Sequence, residues 1–371
     1  MMPNSLPEHM KAVLLTGHGG LDKLVYVDDF PVPRPGAGEV TIEVAACGMN
    51  NTDVWVREAA YGTEDDPNAR SSWRRGRNTL TFPRIQGCDT VGYVAAVGEG
   101  VPASRIGERV MVDFSIYNAA DDYLGDIDYM GHGRDGGYAE YMALPTENAH
   151  LIHSDLTDVE LATFCCAYLT AEHMLDRARL SSGERILVTG ASGGVGSAII
   201  QLARLRGAEP IALVGSGKEQ AVEQVGAIQA FDRTDPALFD RLYEATRGEL
   251  FHVAADLVGS SLFNLCLKAL RPHGRYITAG AIGGPVVKVD LRTLYLKHLE
   301  LHGSSQGTRS AFRRLHHYIE SGAIKPLVAG VYRLSAFHEA QRAFMAKKFV
   351  GKLVVIPDRR WGVEPPAVRL L

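Results

Sequence analysis

Between Met10 and about Leu151 the apolar residues come in short runs, KAVLL, EVTIEVAACG, VGYVAAVG, GERVMVD and YAEYMALP, which alternate with polar positions and break at Gly and Pro. A period of two with turn residues at the breaks predicts a mainly β domain. From about Asp155 to about Ser305 the pattern changes. Strand-like runs (ERILVTG, PIALV, FHVAADLVG, GRYITAG) are separated by helical stretches at Gly194 to Arg206, near Val222, and at Leu262 to Leu270. Regular β then α alternation predicts right-handed crossovers and a doubly wound parallel sheet, hence an α/β protein. From about Gly330 to Pro357 short strands return around one helix, and GKLVVIP suits a return to the first domain. The expected organisation is a discontinuous outer domain, residues 1–154 and 306–371, with the doubly wound domain inserted at 155–305. Two polar, turn-rich stretches, Gly62 to Arg77 and Asn118 to Arg134, read as loops, and long loops in compact enzymes serve as lids or as plain solvated insertions.

The segment Thr189-Gly190-Ala191-Ser192-Gly193-Gly194-Val195-Gly196 follows an apolar strand (Ile186, Leu187, Val188) and opens a helix whose apolar face is Val195, Ile199, Leu202 and Ala203. Glycines let the backbone turn tightly and approach a pyrophosphate, whose charge then meets the free N–H groups of the helix N-terminus. The strand, turn, helix and second strand together supply the context a dinucleotide fingerprint requires. Gly190, Ser192, Gly193, Gly194, Val195 and Gly196 are therefore the expected cofactor contacts. A fold that prefers NAD ends its second strand with a carboxylate for the ribose hydroxyls. Here Val214 stands there, followed by Ser216 and Lys218, which could bond and charge-pair a 2′-phosphate. NADPH is the expected cofactor; the alternative is that Lys218 is a solvated first-turn lysine.

A chain of 371 residues can bury two cores. With 46% hydrophobic and 22% charged residues it has ordinary globular composition, which excludes a disordered or fibrous chain. The net charge of -4 offers no field for a phosphate backbone, so nucleic acid is not an expected partner. There is no apolar run of the roughly 18 residues a membrane span needs, and MMPNSLPEHM does not read as a signal peptide. Five cysteines, an odd number without a CxxC pair, suit free thiols in a reducing compartment. A cytoplasmic enzyme is the expectation.

GERILVTGASGGVGSAIIQLA, CGMNNTDVWVR, FPRIQGCDTVGYVAAVG, IGERVMV, RDGGYAEY and AFHEAQRAFMAKKFVGKLVV, in this order, resemble the segments of medium-chain dehydrogenases/reductases, specifically the zinc-independent quinone and enone reductases. The resemblance covers about Met10 to Pro357. It implies a GroES-like mainly β catalytic domain, a Rossmann domain, an interdomain cleft for the nicotinamide, and a homodimer formed through the edge of the nucleotide-binding sheet. Matched residue by residue, Asn50 takes the place of an asparagine beside the nicotinamide, Asp53 the motif aspartate, Arg57 the motif arginine, and Tyr61 an active-site tyrosine; Trp55 stands where several relatives have a second tyrosine. The resemblance also carries Thr170, Gly280, Ala281, Ser304 and Ser305 towards the ribose and nicotinamide, and Lys352 towards the cofactor phosphates.

Hydride transfer to a carbonyl needs orientation and a hydrogen-bond donor where negative charge develops on oxygen. Asn50, Asn51, Thr52 and Tyr61 are the candidate donors, Tyr61 serving as acid or as aromatic lid, and Asp53 orienting its neighbours or acting directly. The implied function is NADPH-dependent reduction of a small conjugated carbonyl, an enone or quinone, without a metal. Zinc alcohol dehydrogenases of the superfamily place cysteine, histidine with glutamate, and cysteine where this chain has Asn50, Cys88 with Asp89, and Cys166. An amide is a poor substitute for a thiolate at zinc. A zinc alcohol dehydrogenase using Cys88, Asp89 and Cys166 is the first alternative. The second is a cofactor-fold protein without redox activity.

Overall fold

In the computed structural model, which describes residues 6–61, 80–117 and 128–362, the alternating runs form the strands their pattern predicts. The first unit comprises residues 1–166, 326–348 and 352–370. Its strands are β1 (His9–Leu15), β2 (Leu24–Pro31), β3 (Glu39–Gly48), β4 (Arg84–Ile85), β5 (Asp89–Val97), β6 (Arg109–Val112), β7 (Ser115–Ile116), β8 (Asp128–Tyr129), β9 (Tyr141–Pro145), β10 (Ala149–Leu151), β17 (Val328–Arg333) and β18 (Lys352–Ile356). The main sheet runs β10-β6-β5-β3-β18-β17, with β9 also on β3. The apolar positions of β3 and β5 fill its core: Val40, Ile42, Val44 and Val91 are completely buried. GKLVVIP does return to this sheet, as β18 against β3.

One register decides where the chemistry lies. Cys47 and Gly48 of β3 face Thr90 and Asp89 of β5 on one side, and Val355 and Val354 of β18 on the other. The end of β3 and the starts of β5 and β18 therefore meet. Gly48 permits this, because a Cβ there would stand 2.3 Å from the Ala162 carbonyl oxygen. Beyond β3 the chain turns into α1 (Asn51–Arg57). Arg57 anchors that helix: it is buried, and its guanidinium reaches the Gly19 carbonyl at 2.6 Å and Gln341 Oε1 at 3.3 Å.

The second unit, residues 167–325 and 349–351, is the doubly wound sheet. Its strands are β11 (Arg185–Thr189), β12 (Glu209–Val214), β13 (Gln229–Asp232), β14 (Phe251–Asp256), β15 (Leu270–Thr278) and β16 (Glu300–Gly303). They are parallel throughout, in the order β13-β12-β11-β14-β15-β16. Crossovers include α4 (Gly194–Leu205), α5 (Glu219–Val225), α6 (Leu238–Ala245) and α7 (Ser261–Ala269), followed by the short α8 (Leu291–Leu296). Leu187, Leu213, Phe251, Phe263, Leu267 and Tyr276 belong to one buried cluster. The strand order reverses at β11, the place where open α/β sheets take their ligands, and the Gly-rich turn sits at its carboxyl end.

This unit ends later than the expected 155–305. Two further helices belong to the region, α3 (Cys165–Arg177) and α9 (Arg309–Glu320). The buried Glu172 of α3 takes Arg314 of α9 at 3.0 Å and Arg206 at 2.9 Å, and Phe312 and Leu315 of α9 are fully buried. The expected loop at Asn118 to Arg134 closes with structure, since β8 pairs with β7. Residues 118–127 and the proposed lid at 62–77 lie outside the described residues. Among the described residues no helix is long and apolar enough to cross a membrane.

Candidate active site

The meeting of β3, β5 and β18 packs opposite charges into the interior. Lys352, the first residue of β18 and 4% exposed, places its ammonium against Asp89 Oδ2 and 2.6 Å from Asn50 Oδ1. Asp89 is fully buried and also accepts from Asn50 Nδ2 at 3.0 Å and from the Cys166 backbone N–H. Lys352 was expected at the cofactor phosphates. The structure puts it here instead, because a buried carboxylate needs a buried cation and Lys352 is the one in contact. Asn50 is engaged likewise: its amide N–H₂ also faces Gly48 O at 3.3 Å and Cys88 Sγ at 3.4 Å, so its donors serve the cluster.

Two thiols complete the cluster. Cys88 is fully buried, and its hydrogen bond with Cys166, together with burial, holds its pKa well above the ordinary thiol range. Cys166 is half-buried, at the start of α3.

Asp53 lies in the first turn of α1, where its Oδ2 accepts from the Asn50 backbone N–H at 2.8 Å and from the Tyr138 hydroxyl at 2.6 Å. Burial outweighs those bonds and raises its pKa to about 6. Its contacts are with Asn50 and Tyr138, which fits the orienting role. Thr52, one residue earlier, shares a 2.8 Å hydrogen bond with the Tyr129 hydroxyl and also bonds Tyr61. The Tyr61 ring packs tilted against Trp55, centroids 5.2 Å apart; burial of its hydroxyl, offset in part by Thr52, pushes its pKa up to about 12. Tyr129 and Tyr138 are residues that sequence reasoning missed, and it missed the pairing of Asp89 with Lys352.

In the second unit Gly190 takes φ +60°, a left-handed conformation glycine adopts without cost. The turn then closes on itself: Gly193 N–H bonds Gly190 O at 3.0 Å, and Ser197 N–H bonds Gly193 O at 2.9 Å as α4 begins. A Cβ on Gly196 would stand 2.4 Å from Gly190 O, so this glycine serves the fold. Gly194 opens the helix, and Val195 follows it on the half-buried side of the turn. Ser192 O receives the Gly351 N–H at 3.0 Å. Beneath the turn, Asp256 Oδ1 takes the Thr189 hydroxyl at 2.6 Å and the N–H groups of Val258 and Gly259 at 2.9 and 3.1 Å, while its Oδ2 takes the Tyr276 hydroxyl at 2.8 Å. One carboxylate thus ties the ends of β11, β14 and β15.

Val214 is buried at the end of β12. Lys218 Nζ reaches Phe349 O at 3.1 Å, and burial with the nearby Arg233 charge lowers its pKa. Arg233, which the sequence reading missed, thus adds a second cation beside Lys218. Ser216 is held by the Asp232 carboxylate, so the hydroxyl expected at a 2′-phosphate is already donated. Gly280 and Ala281 follow β15, where Gly280 O accepts from Thr278 Oγ1 at 2.9 Å. Thr170 lies on α3, largely buried. Ser304 Oγ is buried without a hydrogen-bond partner among the described residues. An orphaned hydroxyl, a closed glycine turn and an open helix N-terminus together fit a phosphate-bearing ligand.

Residues 36–154 match the alcohol dehydrogenase GroES-like domain family, and residues 194–321 the zinc-binding dehydrogenase family. A crystal structure from Sinorhizobium meliloti, described as a candidate alcohol dehydrogenase, is 70% identical and superposes with a TM-score of 0.93 over 96% of this chain and 98% of its own. The rat quinone oxidoreductase is 26% identical over 94% of this chain and 98% of its length. An NAD-dependent alcohol dehydrogenase of Sulfurisphaera tokodaii is 26% identical over 94% of this chain and its full length.

Proposed function

Since the chain belongs to the medium-chain dehydrogenase/reductase superfamily and is thus an oxidoreductase of the kind that uses a nicotinamide cofactor, we propose that it reduces a small conjugated carbonyl, an enone or quinone, with NADPH and without a metal. The observation that carries the metal-free reading is the Lys352–Asp89–Asn50 cluster. Where zinc-dependent relatives assemble metal donors, this chain offers an amide whose oxygen already accepts from an ammonium and a carboxylate already neutralised by it. A dication would be repelled by that ammonium and would find neither acceptor free. Among the described residues no three His, Cys, Asp or Glu side chains are arranged to hold a metal. The engaged Asn50 and Asp89 support a site that works without zinc.

The nicotinamide, when bound, supplies the hydride. The chain must supply a proton and hold the acceptor. Tyr61 and Thr52 carry hydrogen-bonded hydroxyls, and Tyr61, with its pKa at about 12, keeps its proton at neutral pH and donates a hydrogen bond without ionising. Thr52 bridges Tyr61 and Tyr129, which holds the three hydroxyls in one hydrogen-bonded chain. Asp53 and Tyr138 fix the turn that presents Asn50 and Thr52. Oxidation of NADPH followed against a panel of enones, quinones and aldehydes tests the reading. Turnover restricted to simple alcohols and aldehydes with added zinc supports the zinc dehydrogenase instead, and tight NADPH binding without any turnover supports a binding module.

Three outcomes are expected with it. Protein purified without added zinc holds well under one equivalent by elemental analysis, and a chelator leaves its rate unchanged. Lys218→Ala raises the Michaelis constant for NADPH by about tenfold, the loss of one charge-assisted contact, and leaves that for NADH unmoved; an equal response sinks the NADPH assignment. The proposed homodimer through the edge of the nucleotide-binding sheet is supported by the position of β16 at the end of the strand order and by exposed apolar side chains on α8, of which Leu296 is 69% exposed and Leu291 62%. Leu296→Glu should convert the dimer to monomer in light scattering; a monomeric wild type removes the proposal.

A further inference from the structure

Five cysteines lie among the described residues, and Cys166 is the one that is not buried. The others are buried. Cys47 faces Thr90 Oγ1 at 3.6 Å, Cys165 faces the Thr90 carbonyl at 3.9 Å, and Cys266 is in the core of the second unit. Cys88 alone shares a hydrogen bond with Cys166. Their backbones are tied at the same point, because the Cys166 N–H is bonded to the side chain of Asp89, the residue next to Cys88. The Asn50 amide steers the Cys88 sulfur from behind, and the Lys352 ammonium is close enough to act on both sulfurs. Nothing in the proposed reduction uses the pair.

We propose that Cys88 and Cys166 form a covalent modification site, a paired dithiol that hydroperoxide-class oxidants close to a disulfide within the candidate active site. The half-buried Cys166, the more accessible of the two, reacts first. The Cys166 sulfur attacks one peroxide oxygen, the O–O bond breaks, and Cys166 becomes a sulfenic acid while the thiol proton leaves with the second oxygen as water. The Cys88 sulfur then attacks the sulfenic sulfur. The S–S bond forms, the S–O bond breaks, and the hydroxyl leaves with the Cys88 proton as a second water. Two thiols are oxidised by two electrons and one peroxide is reduced. The two cysteines are held at one point through Asn50 and Asp89, their sulfurs need only close to about 2 Å, and a resolving thiol beside a more accessible one is the arrangement that redirects a sulfenic acid from further oxidation. The product stands against Asn50, Asp89 and Lys352.

The proposal is independent of the substrate assignment, and its test is chemical. The purified protein is treated with one equivalent of hydrogen peroxide, and free thiols, intact mass and tryptic peptides are measured. The expected result is the loss of two thiols per chain, a peptide pair joining Cys88 to Cys166, and full reversal by dithiothreitol. Phenylarsine oxide, which bridges neighbouring thiols with release of water, should add once to the wild type and to Cys266→Ala, and not to Cys166→Ser or Cys88→Ser. Sulfinic acid at Cys166 with Cys88 still titrating as a thiol overturns the proposal, as does an arsenical adduct that survives in Cys88→Ser. Since the wild type alone yields the peroxide result, a variant that fails to fold does not protect the idea.

Discussion

Gly194→Val is expected to lose NADPH affinity by about a hundredfold or more, roughly 3 kcal/mol, while its circular dichroism and unfolding midpoint stay close to wild type. The asymmetry follows from where the glycines sit. Gly190 has a left-handed φ, and Gly196 is pressed on Gly190 O, so side chains there strain the turn itself. Gly194 begins α4 and does not take a positive φ. A valine at that point costs the fold little and places two methyl groups where the helix N–H groups would meet phosphate. Fluorescence titration with NADPH, beside a Gly196→Val control that should unfold more easily, separates the two roles. Unchanged affinity in Gly194→Val would show that this turn is not the cofactor site.

The second large effect concerns Lys352. Lys352→Met should lower the unfolding free energy by about 3–5 kcal/mol, the usual result of leaving a buried charge without its partner. Asp89 would then remain fully buried with only the Asn50 amide and one backbone N–H to stabilise it. The double variant Lys352→Met with Asp89→Asn should recover most of the loss, because no charge is left inside. Urea unfolding of the two singles and the double gives the coupling. A single variant as stable as the wild type would mean that solvent reaches the pair and screens it.

The β domain and the doubly wound sheet were legible because a period of two and a β then α alternation are local signals, and each apolar run named from the sequence became a strand or its core. Gln229–Asp232 and the helix at Leu238–Ala245 were not, since a four-residue strand and a two-turn helix among polar residues carry no period long enough to read. The site divided along the same line. The glycine turn is contiguous and could be found. Lys352 and Asp89 are 263 residues apart, and their pairing depends on the register of two strands on β3, which no window of sequence contains. Asp53 and Thr52 came from a motif, whereas their partners Tyr138 and Tyr129 come from distant strands and loops. Arg233 was overlooked because the sequence signal for a 2′-phosphate was sought on β12, and the cation stands after β13, one strand away.

Asp256 has a consequence for how the ligand arrives. By accepting from Thr189, Val258, Gly259 and Tyr276, it holds three strand ends in place from within the protein. On the proposed reading, the glycine turn is thus braced from beneath before a dinucleotide approaches. The amide protons at Val258 and Gly259 should exchange with solvent as slowly in the apoprotein as in the complex, and association should follow encounter in a single kinetic phase.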